Sequence, residues 1–255
     1  MTKRMAIAVI GVVLLISSSA AANSASRVVL RDDVSPVHRD QLLNKLRKIT
    51  GWTRLTFAAD GTLSIDTTET SAGSKSARGL LASAAAGANA IILEDASSRA
   101  DIAFCRVVPA RWHNAHAAKF RAFVVLIDFN DFEQLVGDTE ARESFDVGWA
   151  VLHELDHVVM NSADTEVNDH LGECETHINK MRAELGLPLR ASYFFTASTL
   201  KADPNFTTRF VRLPFEKRDP SSRRLKRYWL TWDLTVVGGV APSLNRLARS
   251  SADIF

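Results

Sequence analysis

Cysteine is scarce in this chain, which has two among 255 residues. That number excludes a small protein held together by many disulfides and a zinc module built from four cysteines. Net charge is also nearly absent, because 31 Lys and Arg residues balance 29 Asp and Glu residues. A chain so close to neutral has no general electrostatic attraction to nucleic acid, and we expect no nucleic-acid partner.

Long apolar runs are missing as well. Residues 5–16 form an apolar run of 12 residues, whereas a helix that spans a membrane needs about 20. Basic residues precede this run, and small residues with an A-x-A pattern at Ala20 and Ala22 follow it. This order is typical of a secretory signal. We therefore expect residues 1–22 to be a cleaved signal peptide and the mature protein to be secreted or periplasmic, with no membrane attachment.

Helix caps divide the mature chain, whose 46% hydrophobic and 24% charged residues are typical of a globular protein. Ser35 and Pro36 predict the start of a helix, and Gly51 predicts its end. The other expected helices are residues 71–86, 139–160 and 172–185.

Short apolar runs between turn residues predict strands. Two strands are expected within residues 55–66, joined by a type I′ turn at Asp60-Gly61, and a second hairpin is expected to pair 90–93 with 102–108. A further strand is expected at 123–128, and two C-terminal strands at 210–215 and 228–237. This order is typical of an α+β fold. We expect a small mixed or antiparallel sheet packed on two helices in a catalytic domain, residues 23–195. A β-rich extension, residues 196–255, should pack on the same domain.

An HExxH motif lies within the expected helix 139–160. His153 and His157 are one helical turn apart, so both imidazoles share a face and reach one metal ion. Neutral imidazole is a common zinc ligand, and zinc is the expected cofactor. Glu154 is placed to accept a proton from a water molecule that the metal activates, as a general base.

A catalytic zinc ion needs a third protein ligand and an open position. The candidates that follow the motif are Asp164, His170, Glu173, Cys174, Glu175 and His177. A metzincin would place its third ligand at position 163, which is Ala163, so that class is excluded.

Helical angles on 172–185 place His177 and Glu175 nearer to the core face than Glu173. A carboxylate completes a familiar catalytic set with two imidazoles. We therefore expect His153, His157 and Glu175 to hold zinc, with Glu173 and His177 as alternatives. Asn179, one turn beyond Glu175, is a candidate for orienting a ligating histidine.

The sequences HELDH (153–157) and GECETHIN (172–179) resemble the gluzincin family of zinc metallopeptidases. The resemblance covers about residues 147–190. It implies zinc-dependent hydrolysis of a peptide or protein substrate, bound as an extended strand at the edge of a sheet. The expected edge is residues 123–128 or 102–108. Two other hypotheses stay open: a catalytically silent zinc-containing binding module, and a zinc hydrolase of a non-peptide amide such as a cell-wall bond.

Several further residues have candidate roles. The candidates for stabilising the oxyanion are His170, His177, Arg190 and Tyr193. Cys105 and Cys174 would be exported together, so we expect a disulfide, with two free thiols as the alternative. We interpret His113 and His116 as a surface pair, and the basic stretch 217–227 as a solvated hairpin tip.

Overall fold

The computed structural model describes residues 26–97, 99–110, 121–167, 170–197 and 210–238. The helices are α1 (Pro36–Thr50), α2 (Lys75–Ala86), α3 (Phe129–Glu133), α4 (Thr139–Glu143), α5 (Val147–Met160) and α6 (Gly172–Glu184). The strands are β1 (Val28–Leu30), β2 (Trp52–Phe57), β3 (Leu63–Thr70), β4 (Ala90–Asp95), β5 (Cys105–Ala110), β6 (Ala122–Ile127), β7 (Val136–Gly137), β8 (Leu189–Arg190), β9 (Thr196–Ala197), β10 (Phe210–Arg218) and β11 (Leu225–Asp233). The predicted α+β class is confirmed. The expected signal peptide lies outside the described residues.

The first sheet has the order β1-β4-β6-β5. Strands β1, β4 and β6 are parallel, and β5 pairs with β6 in the antiparallel direction at one edge. The predicted hairpin of 90–93 with 102–108 is therefore wrong, because β6 lies between those two strands. Val125, Leu126 and Ile127 of β6 are all buried, and such a strand is stable only in the interior of a sheet.

The second sheet has the order β7-β11-β10-β8, with β9 also paired to β10. The predicted C-terminal strands are confirmed as the antiparallel hairpin of β10 and β11. Strand β7 adds to β11, and β8 adds to β10. The C-terminal hairpin thus shares one sheet with two segments that precede residue 195.

Local signals fix the first helix and the first hairpin. Ser35 Oγ accepts a hydrogen bond from the His38 N–H and so caps α1. Strands β2 and β3 form the expected hairpin, but the turn type is wrong. Gly61 has a φ of 79°, whereas Asp60 is not among the described residues with positive φ, and a type I′ turn needs positive φ at both central residues.

Helix α5 lies in the hydrophobic core that packs against the first sheet, and it carries the HExxH motif. Val151, Leu152 and Leu155 have no exposed surface, and α5 packs against α1, α2, α6 and strands β5 and β6. The single predicted helix 139–160 is two helices, because Asp146 interrupts it. The Asp146 carboxylate accepts the N–H groups of Gly148 and Trp149 and so starts α5. Among the described residues, no helix has the length and apolar composition of a membrane span.

Candidate metal centre

The two histidines of α5 converge on an aspartate. His153 Nε2 lies 3.1 Å from Asp164 Oδ1, and His157 Nε2 lies 3.4 Å from Asp164 Oδ2. Buried Cys174, on α6, joins this group, and one donor atom from each of the four residues lies within 4.8 Å of the others. The structure therefore brings together two imidazoles, a carboxylate and a thiol.

Asp164 reaches the histidines because the chain turns back between α5 and α6. Asn161 adopts the left-handed conformation (φ 54°) and ends α5. The Ala163 carbonyl then accepts the N–H groups of Glu173 and Cys174 at the start of α6. Gly172 has a φ of 78°, and a Cβ there would lie 2.7 Å from the Thr165 backbone nitrogen. Only glycine fits that position without displacing the loop.

The spacing of these donors fits a zinc ion. Two ligand atoms at 2.0–2.1 Å from tetrahedral zinc are about 3.3 Å apart. The two distances from imidazole to carboxylate, 3.1 and 3.4 Å, bracket that separation. Asp164 is also the residue that contacts both imidazoles in the metal-free protein, and its carboxylate raises the pKa of His157 to about 11. A divalent cation can take the place of the shared protons.

The far side of each imidazole is anchored by an oxygen atom. His157 Nδ1 donates to the Ser162 carbonyl oxygen at 2.9 Å. His153 Nδ1 lies 3.4 Å from Glu175 Oε2. Such partners fix the tautomer and the ring orientation of a metal-binding histidine. Both rings therefore direct Nε2 toward Asp164.

Glu175 lies behind His153, outside the group of four donors. Its side chain is 1% exposed and forms ion pairs with Arg182 and Arg190. Burial disfavours its charge, but the two guanidinium groups outweigh burial and hold the pKa of Glu175 well below its usual range. The carboxylate in the group of four donors is that of Asp164, whereas the sequence favoured Glu175. The alternatives Glu173 and His177 also lie outside the group.

Glu154 lies in a buried position next to the group of four donor residues, which we call the metal group. Its Oε2 atom accepts the Val107 N–H at 2.9 Å. Burial raises the pKa of Glu154, while the charges of His153 and His157 oppose that rise. Glu154 also lines a cavity together with His153 and Tyr193. Its carboxyl group is thus held near the histidines and next to space for a ligand.

Of the four candidate oxyanion donors, Tyr193 lies closest to the metal group. Burial, together with the neighbouring Asp164 carboxylate, raises the pKa of Tyr193. The Tyr193 ring stacks on His153 at 6.4 Å. His177 instead pairs with Asp156, and Arg190 pairs with Glu175. His170 is exposed and outside the cavity lining.

The expected disulfide is wrong, because Cys105 and Cys174 are both free thiols. Cys174 Sγ donates to the His153 carbonyl oxygen at 3.4 Å. Cys105 lines the cavity. Asn179 also differs from its expected role: it bonds to Arg182 and to the backbone of Arg190, and so orients arginines instead of a histidine. The expected surface pair His113 and His116 lies outside the described residues.

Sequence reasoning included Asp164 among the candidates but ranked only residues on the following helix. A helical wheel cannot rank a residue in a loop. The signals that could have favoured Asp164 are Asn161 and Gly172, both common where a chain adopts positive φ. Together they predict a tight return of the loop toward the end of α5.

Comparison with known proteins gives no relative: no family model, no curated protein and no solved structure matches this chain. The gluzincin resemblance therefore rests on the motifs alone.

Proposed function

We propose that this protein is an exported zinc metallopeptidase in which His153, His157 and Asp164 hold the metal. The observation that carries the proposal is the convergence of both Nε2 atoms on one carboxylate, next to the buried carboxyl group of Glu154. Two imidazoles and a carboxylate leave a tetrahedral ion one open position, as a catalytic zinc requires.

The residues around the metal have separate tasks in this proposal. Zinc, when bound, supplies a Lewis acid that polarises the peptide carbonyl group and makes water a better nucleophile. Glu154 accepts a proton from the attacking water and passes it to the leaving nitrogen. The Val107 N–H holds one oxygen of Glu154, so the other oxygen is available for that proton. The Tyr193 hydroxyl is the donor for the negative charge on the substrate oxygen.

The outer edge of β5 supports an extended substrate. Strand β6 is interior, so the expected edge at 123–128 is not available, whereas the side of β5 that faces away from β6 has no sheet partner among the described residues. The Val107 N–H points away from β6 toward Glu154, and in an antiparallel pair the carbonyl of the same residue points the same way. Carbonyls of Cys105 and Val107 are then free to accept N–H groups of a peptide strand. Pro109, two residues beyond Val107, directs its carbonyl to the same side of β5 and has no N–H group.

A silent binding module is the second candidate function, and the position of Cys174 favours it. If Cys174 were a fourth ligand, zinc would have a closed shell, which is typical of structural sites. A closed site has no use for Glu154, however, and a buried carboxyl group is costly to retain without a role. We therefore prefer the enzyme.

Metal analysis and turnover test the two candidates together. We expect one zinc per chain, and cleavage of a peptide library that Glu154→Gln abolishes while zinc content is unchanged. Peptidoglycan is the parallel substrate for the cell-wall alternative. Cobalt-loaded protein shows whether a thiolate binds the metal, by a charge-transfer band in the near ultraviolet. Such a band, lost in Cys174→Ser but kept in Cys105→Ser, together with no turnover, would establish the closed module.

A further inference from the structure

A cavity lies directly next to Glu154 and extends toward the C-terminal sheet. His153, Glu154 and Tyr193 line it on the side of the metal group, and Leu213 and Trp232 line it on the side of the second sheet. Its volume is about 180 Å³. An apolar cavity of about 150 Å³ binds benzene. The space next to the general base therefore has the size of one aromatic side chain.

Six aromatic residues line the cavity. The rings that line it belong to Phe104, Phe145, Trp149, Tyr193, Phe195 and Trp232. Phe104 contacts Phe145 edge-on at 5.2 Å and Trp232 edge-on at 5.4 Å. Edge-to-face contacts are the favoured geometry of aromatic pairs. An aromatic ring that entered the cavity could make edge-to-face contacts of the same kind with these side chains.

The wall is held in place before a ligand arrives. Phe104 adopts a left-handed conformation with a φ of 60°, which is costly for an aromatic residue unless the surroundings impose it. The buried Asp131 carboxylate stabilises it by accepting the Phe104 N–H at 2.9 Å. A wall fixed in this way loses little conformational entropy on binding.

The charged groups of the cavity already have partners within the protein. Its charged residues are Glu154, Glu175, Arg182 and Arg190. Glu175 pairs with both arginines, and Arg182 also donates to the Ser144 carbonyl. A charged side chain that entered the cavity would lose its hydration and meet groups that already have hydrogen-bond or ion-pair partners, which is unfavourable.

From these observations we propose that the cavity is a specificity pocket for an aromatic side chain next to the scissile bond. This inference rests on the proposed function for its location in the reaction. The enzyme would select peptides with Phe or a similar ring on one side of the cleaved bond.

A binding experiment tests the pocket without turnover. Zinc-loaded Glu154→Gln protein is titrated with N-acetyl-4-fluorophenylalanine amide and followed by ¹⁹F NMR. N-acetylalanine amide is the competitor. We expect the aromatic amide to bind at least about 10-fold more tightly than the alanine amide, the gain typical of burying a large apolar side chain. Equal affinities would overturn the pocket.

Matched variants show that the gain arises in this cavity. Phe195 and Phe210 are 37% and 39% exposed, and only Phe195 lines the cavity. Phe195→Ala should weaken binding of the aromatic amide by at least about 5-fold, while Phe210→Ala should not. Ala103→Leu, which enlarges another residue of the cavity lining, should also weaken binding. If both pocket variants bind as the wild type does, the proposal is wrong.

Turnover separates failure of the pocket from failure of the proposed function. Quenched peptides carry Phe, Leu, Ala, Asp or Lys on either side of one bond. We expect kcat/KM for Phe at one of the two positions to exceed that for Ala at least about 10-fold, and that ratio to fall in Ala103→Leu. Cleavage without preference would overturn the pocket and leave the peptidase intact. Absence of cleavage would overturn the peptidase, and the NMR titration would still decide the pocket.

Discussion

Asp164 and Glu175 lie on opposite sides of the His153 imidazole. Asp164 Oδ1 is 3.1 Å from Nε2, and Glu175 Oε2 is 3.4 Å from Nδ1. One ring cannot direct both nitrogens at the same ion, so only one of the two carboxylates could share a metal with His153. The approach of His157 Nε2 to Asp164 favours Asp164 for that role.

Asp164→Ala should abolish tight zinc binding and leave the fold intact. Removal of a ligand should lower zinc affinity by at least about 100-fold, since loss of an outer partner alone costs 10–100-fold. Because Asp164 also pairs with His153 and His157 in the metal-free protein, the Tm measured with excess chelator should fall modestly, and zinc affinity is measured at a temperature where the variant is folded. Competition with a chromophoric chelator measures the affinity. Glu166→Ala, an exposed acid of the same loop, is the control and should bind zinc normally. Normal zinc affinity in Asp164→Ala would refute the assigned ligand.

Glu175→Gln should act mainly on stability. The substitution leaves Arg182, which is 2% exposed, without its carboxylate, and an unpaired buried charge costs about 3 kcal/mol or more. Urea unfolding in the presence of chelator measures that loss. Zinc affinity should fall by about 10-fold, because the His153 ring loses its anchor. Glu173→Gln, at an exposed position of the same helix, should change neither quantity. A loss of zinc binding with unchanged stability would identify Glu175 as a ligand.

Alanine at two glycines should have opposite effects. Gly172→Ala forces a Cβ to within 2.7 Å of backbone at positive φ, and we expect a loss of about 2 kcal/mol or more and weaker zinc binding, since the Asp164 loop must move. A Cβ atom at position 79, inside α2, would meet no neighbouring side chain or element within 4 Å. Gly79→Ala should therefore stabilise the protein by about 0.5–1 kcal/mol. Chemical denaturation with chelator compares the two, and equal effects would contradict the loop geometry.

Glu184 should make stability depend on pH in the acid range. It lies at the end of α6 and accepts hydrogen bonds from Ser74 and Ser76 at the start of α2. Partial burial opposes the charge, but these bonds outweigh it and lower the pKa of Glu184 to about 2 from 4.5. Because the folded pKa is the lower one, the stabilisation is complete above pH 4.5 and is lost as pH falls toward 2.

Glu184→Gln should accordingly destabilise the protein by about 1 kcal/mol at pH 7, a figure that allows for solvent screening of an exposed carboxylate. The difference from the wild type should shrink as pH falls from 4.5 to 2. Urea unfolding across that range measures it, with Glu133→Gln, another exposed glutamate, as the control. A difference that is constant with pH would show that the charge of Glu184 has no role.

Helix ends could be predicted because their signals are local. Ser35, Pro36 and Gly51 bound α1 as expected, and the strand at 123–128 was found from its apolar run. Strand pairing could not be predicted in the same way. The partner of β4 is β6 and not the next strand along the chain, and that choice depends on which strand is apolar enough for the interior of the sheet.

In the candidate site, too, the local arrangement could be predicted and the long-range contacts could not. His153, Glu154 and His157 lie within one helical turn, so their common face follows from the helix period alone. Glu175 has one partner on its own helix, Arg182, but its second partner, Arg190, is fifteen residues away, and that pairing depends on how α6 packs against β8. No helical wheel contains that contact. Likewise, nothing in the order of residues links Leu213 or Trp232 to the motif, although both line the cavity next to Glu154.

The shared second sheet makes the C-terminal hairpin inseparable from the site. Strands β7 and β8 depend on β11 and β10 for their only sheet partners among the described residues, and the hairpin supplies one wall of the cavity. A chain shortened to residue 195 would keep every proposed zinc ligand and yet expose that wall to solvent. A chimera that exchanges the hairpin alone should therefore alter selectivity while the metal chemistry stays as it was.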